Sequence, residues 1–316
     1  MVFCSSLTFL IDTAQPKHLT GADGINSSVA KLLDIDHTEP TYAGANIIYG
    51  KIDNSDSIQF ENSILNSDIA DGTLINGAGT GELLVMSVGP STRKIKTWAT
   101  TYAAGQPPFK REEWDNIAGI DDSEGAKKEI EDTVLNQYPR EHFIHELAAH
   151  TSPQNLLHFG LFYRQHKLSW FHKESYRVVL MGDACHATLP YIGQGANQAI
   201  EDAIVLADCL FDKTNKDLVE TSVKQVGFHE AFERYYQLRF PRTKRIVDMC
   251  NFVNKLYHSD NVLVRWFCDF FLTQMTTGGL MYQQLVREIV DYCPVKDFHK
   301  YATPRASDES SSTSTS

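Results

Sequence analysis

The sequence predicts a mixed α/β chain, α+β through its middle, on three observations. Arg177–Met181 (RVVLM) is a short β-branched and apolar run, as expected of a strand buried on both faces. It leads through Gly182-Asp183 and a glycine-bearing loop into helical spacing from Ala196 to Leu210. Ahead of it, from Thr41 to about Gln165, strand-like runs alternate with helical spacing, and from Thr221 onward the pattern is helical. A chain of 316 residues holds about two domains.

Taken in order, the strand-like runs of the middle block are Ala43–Tyr49, Leu83–Val88, Lys94–Tyr102 and Leu156–Tyr163. Glu124–Tyr138 and Arg140–His150 carry helical spacing between them. The glycine cluster Gly77-Ala-Gly79-Thr-Gly81 is followed by Glu82 and the strand-like LLVMSV, so it reads as a turn in a sheet. Within the helix from Ala196 to Leu210, the residues Ala199, Ala203, Leu206 and Leu210 share one face and are expected inside. Phe228, Phe232 and Tyr235, then Val247, Cys250 and Val253, mark helical stretches with Pro241 as the expected break. Thr303–Ser316 is nearly all Ser, Thr and acid and is expected to be a disordered tail.

Composition removes several functional classes. Hydrophobic residues at 42% and charged ones at 22% exclude a mainly disordered or fibrous chain. The net charge, 29 − 40 = −11, argues against nucleic acid as a partner. Six dispersed cysteines without a C-x-x-C pair argue for thiols in a reducing compartment, which makes the cytoplasm the expected location. Val2–Ile11 is apolar but lacks the basic flank and cleavage site of a signal peptide. Val262–Leu272 is interrupted by Arg265 and Asp269 and is shorter than the ~20 residues a membrane span needs, so no integral span is expected. A metal site is not expected either. At ~100° per residue, five steps place His150 about 140° round from His145, and His142 with His145 finds no third ligand. Asn26-Ser27-Ser28 matches a glycosylation sequon without an export signal, and Phe267, Phe270 and Phe271 read as core.

The chemistry concentrates in Gly182–Ala203 (GDACHATLPYIGQGANQAIEDA). Gly182 allows a tight turn close to a ligand. Asp183 then stands at the carboxyl end of a buried strand, where open α/β sheets place ligands and where a carboxylate suits sugar or ribityl hydroxyls. Gly193, Gly195 and Ala196 keep the backbone bare where a helix begins, and its unpaired N–H groups face an anionic or electron-rich ligand atom. Spacing alone leaves open a glycine-rich loop that merely starts a helix. A glycine-restricted backbone is expected at Gly195.

This run closely resembles the second flavin-contacting motif of the single-component, class A FAD-dependent aromatic hydroxylases of the salicylate-hydroxylase type. Upstream, Thr20–Leu33 (TGADGINSSVAKLL) resembles the family's Asp-Gly motif, and Tyr235–Met249 (YYQLRFPRTKRIVDM) resembles the arginine-rich helix after the flavin loop. The resemblance spans roughly residues 16 to 260. It implies a partial Rossmann-like, three-layer FAD-binding domain with an inserted β-sheet substrate domain and C-terminal helices. The implied boundaries are 1–40 and 166–212 for FAD, 41–165 for the sheet, 213–302 for the helices and 303–316 for the tail.

The resemblance also implies residue roles. Gly182 and Asp183 would meet the ribityl chain. Pro190 would sit at the isoalloxazine edge without acting as acid or base. Gly193, Gln194, Gly195, Ala196 and Asn197 would present N–H groups to the flavin pyrimidine end, and Asp23 and Gly24 would serve FAD and the pyridine nucleotide. Cys185, where the family usually has alanine, reads as a small buried hydrophobe, and His186 as structural. The family's first motif tends to close with arginine, where this chain has Ala30-Lys31. The implied cofactors are FAD with NADPH or NADH as reductant, and the partners are O2 and a small electron-rich aromatic molecule. The family's opening G-x-G-x-x-G unit is absent from the sequence, so the resemblance implies a member without its first βαβ. Two alternatives stay open. One is another enzyme on the same FAD module, although the halogenase W-x-W-x-I-P is absent; the other is an inactive remnant.

Overall fold

The computed structural model describes residues 19–32, 35, 39–53, 58–61, 71–77, 81–88, 95–108, 128, 135, 138, 142–166, 169–210, 225–259, 261–264, 266, 267 and 270. Two sheets organise them. A short parallel pair joins β1 (Leu19–Gly21) to β7 (Val178–Leu180), with Leu19 opposite Val178 and Gly21 opposite Leu180. A five-stranded antiparallel sheet holds β2 (Thr41–Ile52), β3 (Asp71–Gly77), β4 (Gly81–Val88), β5 (Ile95–Ala103) and β6 (Leu156–Tyr163) in the order β3-β4-β5-β2-β6. Helix α1 (Ser28–Leu32) follows β1, and α2 (Ile144–Ala149) precedes β6. After β7 come α3 (Asp183–His186), a 3-10 turn at Pro190–Ile192, α4 (Gly195–Leu210) and the long α5 (Gln225–Tyr257).

Apolar burial explains the layering. Val178, Val179 and Leu180 are all buried, as the RVVLM run predicts for a strand covered on both faces. They pack with Trp170, Phe171, Val205, Leu206 and the amino-terminal half of α5 through Phe228, Phe232 and Tyr235. On the large sheet, Ile48, Ile52, Leu83, Val85 and Trp98 meet Phe143, Ile144 and Leu147 around α2. The opposite sheet face, through Ala45, Ile47 and Leu161, meets Leu189, Tyr191 and the carboxyl-terminal half of α5 at Ile246, Cys250 and Val253. One helix, 33 residues and so about 50 Å long, thereby joins both sheets.

Three sequence expectations change here, the first being that Phe267 and Phe270 are core: they are 42% and 51% exposed. Pro241 lies inside α5 and does not break it. The helix is held on both sides of the proline by the two cores, and the Thr243 hydroxyl donates to the carbonyls of Arg239 at 3.0 Å and Phe240 at 3.3 Å, next to the turn the proline disturbs. The buried face of α4 is also rotated: Gln198, Asp202, Val205, Leu206 and Cys209 point inward, while Ala203 is exposed. Gly77 pairs with Gly81 across the β3–β4 hairpin, in agreement with a turn in a sheet. The expected helix Glu124–Tyr138 and the tail Thr303–Ser316 lie largely or wholly outside the described residues.

Close packing on β2 gives a direct test. A Cβ at Gly50 would lie 2.2 Å from Trp98 Nε1, and that indole donates to Thr151 Oγ1 at 2.9 Å in a buried setting. Gly50→Ala is therefore expected to destabilise the fold by about 1–3 kcal/mol. Urea unfolding measures it, and an unchanged midpoint would mean that the indole moves aside without cost.

The same sheet face buries a polar string. Tyr42 donates to Asn46 Oδ1 at 2.8 Å, Asn46 Nδ2 donates to Tyr102 at 3.2 Å, and Tyr102 is hydrogen-bonded to His158 at 2.7 Å. Burial lowers the His158 pKa from 6.5 to about 4 and raises that of Tyr42 to about 12, the latter with help from Tyr102. The unfolded chain then binds a proton at His158 that the folded chain refuses, so stability is fully present above about pH 6.5 and is lost as pH falls from there toward 4. The expected loss is on the order of 3 kcal/mol, read from thermal unfolding across that window. A His158→Gln variant with the same pH slope as the parent would refute it.

Candidate functional site

Strands β1 and β7 are parallel neighbours, so their carboxyl ends open to the same side. Each ends in a glycine–aspartate pair. After β1 come Asp23 and Gly24, the latter at φ +80°; after β7 come Gly182 at φ +60° and Asp183. Met181 donates its N–H to the Gly21 carbonyl at 2.9 Å, which ties the two turns together. The structure thus brings together two motifs separated by some 160 residues of sequence.

The two aspartates are used differently. Asp23 Oδ2 accepts from the Ser28 N–H at 2.7 Å and the Val29 N–H at 3.1 Å, so its carboxylate caps α1. Asp183 points outward and is exposed. The surrounding protein still hinders its hydration, which raises its carboxyl pKa above the ordinary value; His186 and Arg164 oppose that rise.

Beyond α3, the 3-10 turn carries an exposed Pro190 and ends at Gly193, which takes the left-handed conformation at φ +62°. Gly195 needs no such freedom. It lies within α4, where a Cβ would only touch Thr188 Cγ2 at 3.7 Å, so the glycine-restricted position is Gly193. Gln194 is buried, its Oε1 accepting from Gln198 Nε2 at 3.4 Å, whereas Ala196 and Asn197 are exposed. Tyr191 anchors the turn from below, donating to Asn254 Oδ1 at 2.6 Å while Asn254 donates to the Ala43 carbonyl at 2.9 Å. The first N–H groups of α4, which no helical carbonyl can reach, open beside this bare loop. Thr188 Oγ1 is shielded there without a hydrogen-bond partner.

Arg164, which sequence reasoning missed, links these parts. It is buried at the end of β6, its Nε donates to the Ile25 carbonyl at 3.0 Å, its Nη2 reaches the same oxygen, and its N–H donates to Ala187 at 3.0 Å. One residue therefore holds the large sheet against both aspartate-bearing loops. An arginine directly after the apolar FGLFY run, Phe159–Tyr163, was the available signal.

Cys185, His186 and Asp202 form a buried group whose potential ligand atoms lie within 4.8 Å of one another. It is a hydrogen-bond hub. Asp202 accepts from His186 at 2.6 Å, from Gly182 at 2.8 Å and from Arg239 at 2.7 Å, so its oxygens are already occupied and a cation is already present. Burial pushes the Asp202 carboxyl up, but His186 and Arg239 outweigh it and hold the pKa below the ordinary range. Burial raises the Cys185 thiol well above its usual pKa, which keeps it an inert buried group, and His186 is turned to Asp202 in a structural role.

Parallel strands ending in ligand-facing turns, beside a glycine loop at a helix amino terminus, define a nucleotide-cofactor-binding α/β domain. The chain belongs to the FAD binding domain family, whose family model matches residues 10–221. It is 38% identical over 98 residues to the FAD-dependent monooxygenase ptmM of Penicillium ochrochloron, covering 31% of this chain and 20% of that protein. It is 44% identical over 70 residues to the 3-amino-4-hydroxybenzoate 2-monooxygenase of Streptomyces cremeus, covering 22% and 15%. Among solved structures, Klebsiella pneumoniae HpxO complexed with FAD and uric acid aligns at a TM-score of 0.56 and 20% identity, over 78% of this chain and 53% of that one. The chain thus spans about half the length of that structure, and the likeness is one of fold. FAD is the cofactor of the family, and the donor set fits it: a free carboxylate, bare N–H groups at a helix start and an unpartnered hydroxyl. Among the described residues no helix is long and apolar enough to cross a membrane.

Proposed function

We propose that the protein is a FAD-dependent monooxygenase that uses NADPH or NADH and O2 to hydroxylate a small aromatic or similarly electron-rich molecule. The observation that carries this reading is the side-by-side placement of Asp23-Gly24 and Gly182-Asp183 at the ends of β1 and β7, next to the bare Pro190–Asn197 loop. Asp183 would bond the ribityl hydroxyls, Gly182 would let the backbone turn close to them, and Pro190 would lie at the isoalloxazine edge. The N–H groups of Gln194, Gly195, Ala196 and Asn197 would meet the pyrimidine end of the ring, whereas the Gly193 N–H is committed to the Pro190 carbonyl at 2.9 Å; for Gln194 only the main chain would serve, since its side chain is turned inward. Asp23 and Gly24 act through the loop they shape, because the Asp23 carboxylate is committed to α1.

FAD, when bound, supplies the redox chemistry that activates O2. The chain binds it, orients it and excludes water. In this reading segments 1–40 and 166–212 hold FAD, 41–165 shapes the substrate side, and 213–302 braces both. The substrate class rests on the relatives, since Ala45, Ile47 and Leu161 are packed as core against Leu189 and Tyr191. The name of the Streptomyces relative, a hydroxybenzoate monooxygenase, supports the same class. Buried thiols at Cys185, Cys209 and Cys250 support a cytoplasmic location.

The test is a flavin titration followed by NADPH and NADH consumption in air with a panel of hydroxybenzoates and aminophenols. Saturable FAD binding, consumption stimulated by a panel member and a product heavier by one oxygen are expected. Consumption that yields only hydrogen peroxide with every compound, or no FAD binding, would overturn the proposal.

A further inference from the structure

We propose that Asp202, in the middle of α4, is the positioning residue that presets the Gly182–Asp183 turn for the flavin, acting through the Gly182 amide. The proposal rests on the flavin reading of the site. A single carboxylate oxygen, Oδ2, accepts from the N–H of Gly182, the residue capping the start of α3, at 2.8 Å, and from the ring of His186, its last residue, at 2.6 Å. Both ends of α3 are thus pinned to one atom. Asp183, the first residue of α3, is aimed by that pinning although its own side chain is exposed.

The carboxylate is itself fixed from the far side. Its Oδ1 accepts from Arg239 Nε at 2.7 Å, and Arg239 is fully buried and also donates to Glu201 Oε2 at 2.6 Å and to Gln198 Oε1 at 2.7 Å. Gly182 has no intrinsic preference for φ +60° over the negative-φ alternatives. Its carbonyl accepts from the Cys185 and His186 N–H groups at 3.0 Å, within the turn itself, and the Asp202 bond is the contact from outside the turn that fixes its N–H. A site shaped before the ligand arrives spends less of its binding energy on ordering.

The experiment is a flavin fluorescence titration of three proteins, the parent first. Absence of saturable quenching by the parent would remove the flavin reading itself and not the role of Asp202. With the parent binding, Asp202→Asn is expected to weaken FAD by about tenfold or more and to shift the visible spectrum of the bound flavin, whereas Glu201→Gln stays within about twofold of the parent. Glu201→Gln also removes an ion pair from Arg239 but leaves the Gly182 amide alone, so equal losses in the two variants would reduce Asp202 to a structural brace and overturn the proposal. Unchanged affinity in Asp202→Asn would overturn it as well. Should that variant not fold, amide exchange in the parent decides. Gly182 is expected to be protected without FAD and to gain little on its addition; a Gly182 amide that exchanges freely until FAD is added would mean that the cofactor sets the turn.

Discussion

Arg239→Ala is expected to cost about 3–5 kcal/mol of stability, because it strands a buried carboxylate. The guanidinium is fully buried on α5 and makes four hydrogen bonds to α4: to Asp202 Oδ1 at 2.7 Å, Glu201 Oε2 at 2.6 Å, the Gln198 carbonyl at 3.2 Å and Gln198 Oε1 at 2.7 Å. Burial alone would favour losing its proton, but Asp202 and Glu201 reverse that and hold the charge in place. Without the arginine, Asp202 keeps His186 and the Gly182 amide but no full cation, and the burial that pushes its carboxyl up acts with less opposition. Arg239→Lys is expected to recover only part of the loss, since an ammonium offers one compact charge where a planar fork meets four acceptors. Urea unfolding followed by circular dichroism measures both. A loss under about 1 kcal/mol for the alanine variant would show that the network selects a geometry without stabilising it.

That network also shows where the sequence could be read and where it could not. The RVVLM strand, the turn at Gly182 and the helix after Gly195 were legible because each rests on local signals: a short β-branched run, a glycine at positive φ, and helical periodicity behind a bare loop. The inward face of α4 was not. Ile200 is 60% exposed and Ile204 37% exposed, with Ala203 also facing out. Apolar residues therefore stand on the outward face as well as the inward one, and hydropathy cannot choose between them. What chooses is Asp202 and Gln198, polar residues drawn inward by an arginine some forty positions away. Arg164 escaped notice for a similar reason: its partners Ile25 and Ala187 are backbone carbonyls, which carry no mark in the sequence. Pro241 misled in the opposite direction, since its helix-breaking tendency is local while the packing that overrides it at Tyr235 and Val247 is tertiary.

Asp183→Ala is expected to weaken FAD binding by about 1.5–3 kcal/mol, roughly 10- to 150-fold, the loss of a charge-assisted hydrogen bond. The position isolates binding from folding. Its carboxylate is exposed and leads α3, while the neighbours that hold the turn, Gly182 and His186, are bonded to Asp202 and do not depend on it. Thermal stability of the flavin-free variant should accordingly stay within about 0.5 kcal/mol of the parent. Asp183→Asn keeps an acceptor oxygen but not the charge, so it should fall between the two. The pH response follows from the direction of the pKa. The neighbouring protein hinders hydration of the exposed Asp183 carboxyl and raises its pKa, so it takes up its proton at a higher pH than an ordinary aspartate. Only the ionised form accepts hydrogen bonds through both oxygens. FAD affinity of the parent should then decline on acidification earlier than for a site built on an unshifted carboxylate, and that decline should be absent in Asp183→Ala. Equal FAD affinity for parent and alanine variant at neutral pH would remove Asp183 from the site, and a parallel acid decline in both would assign the titration to another group.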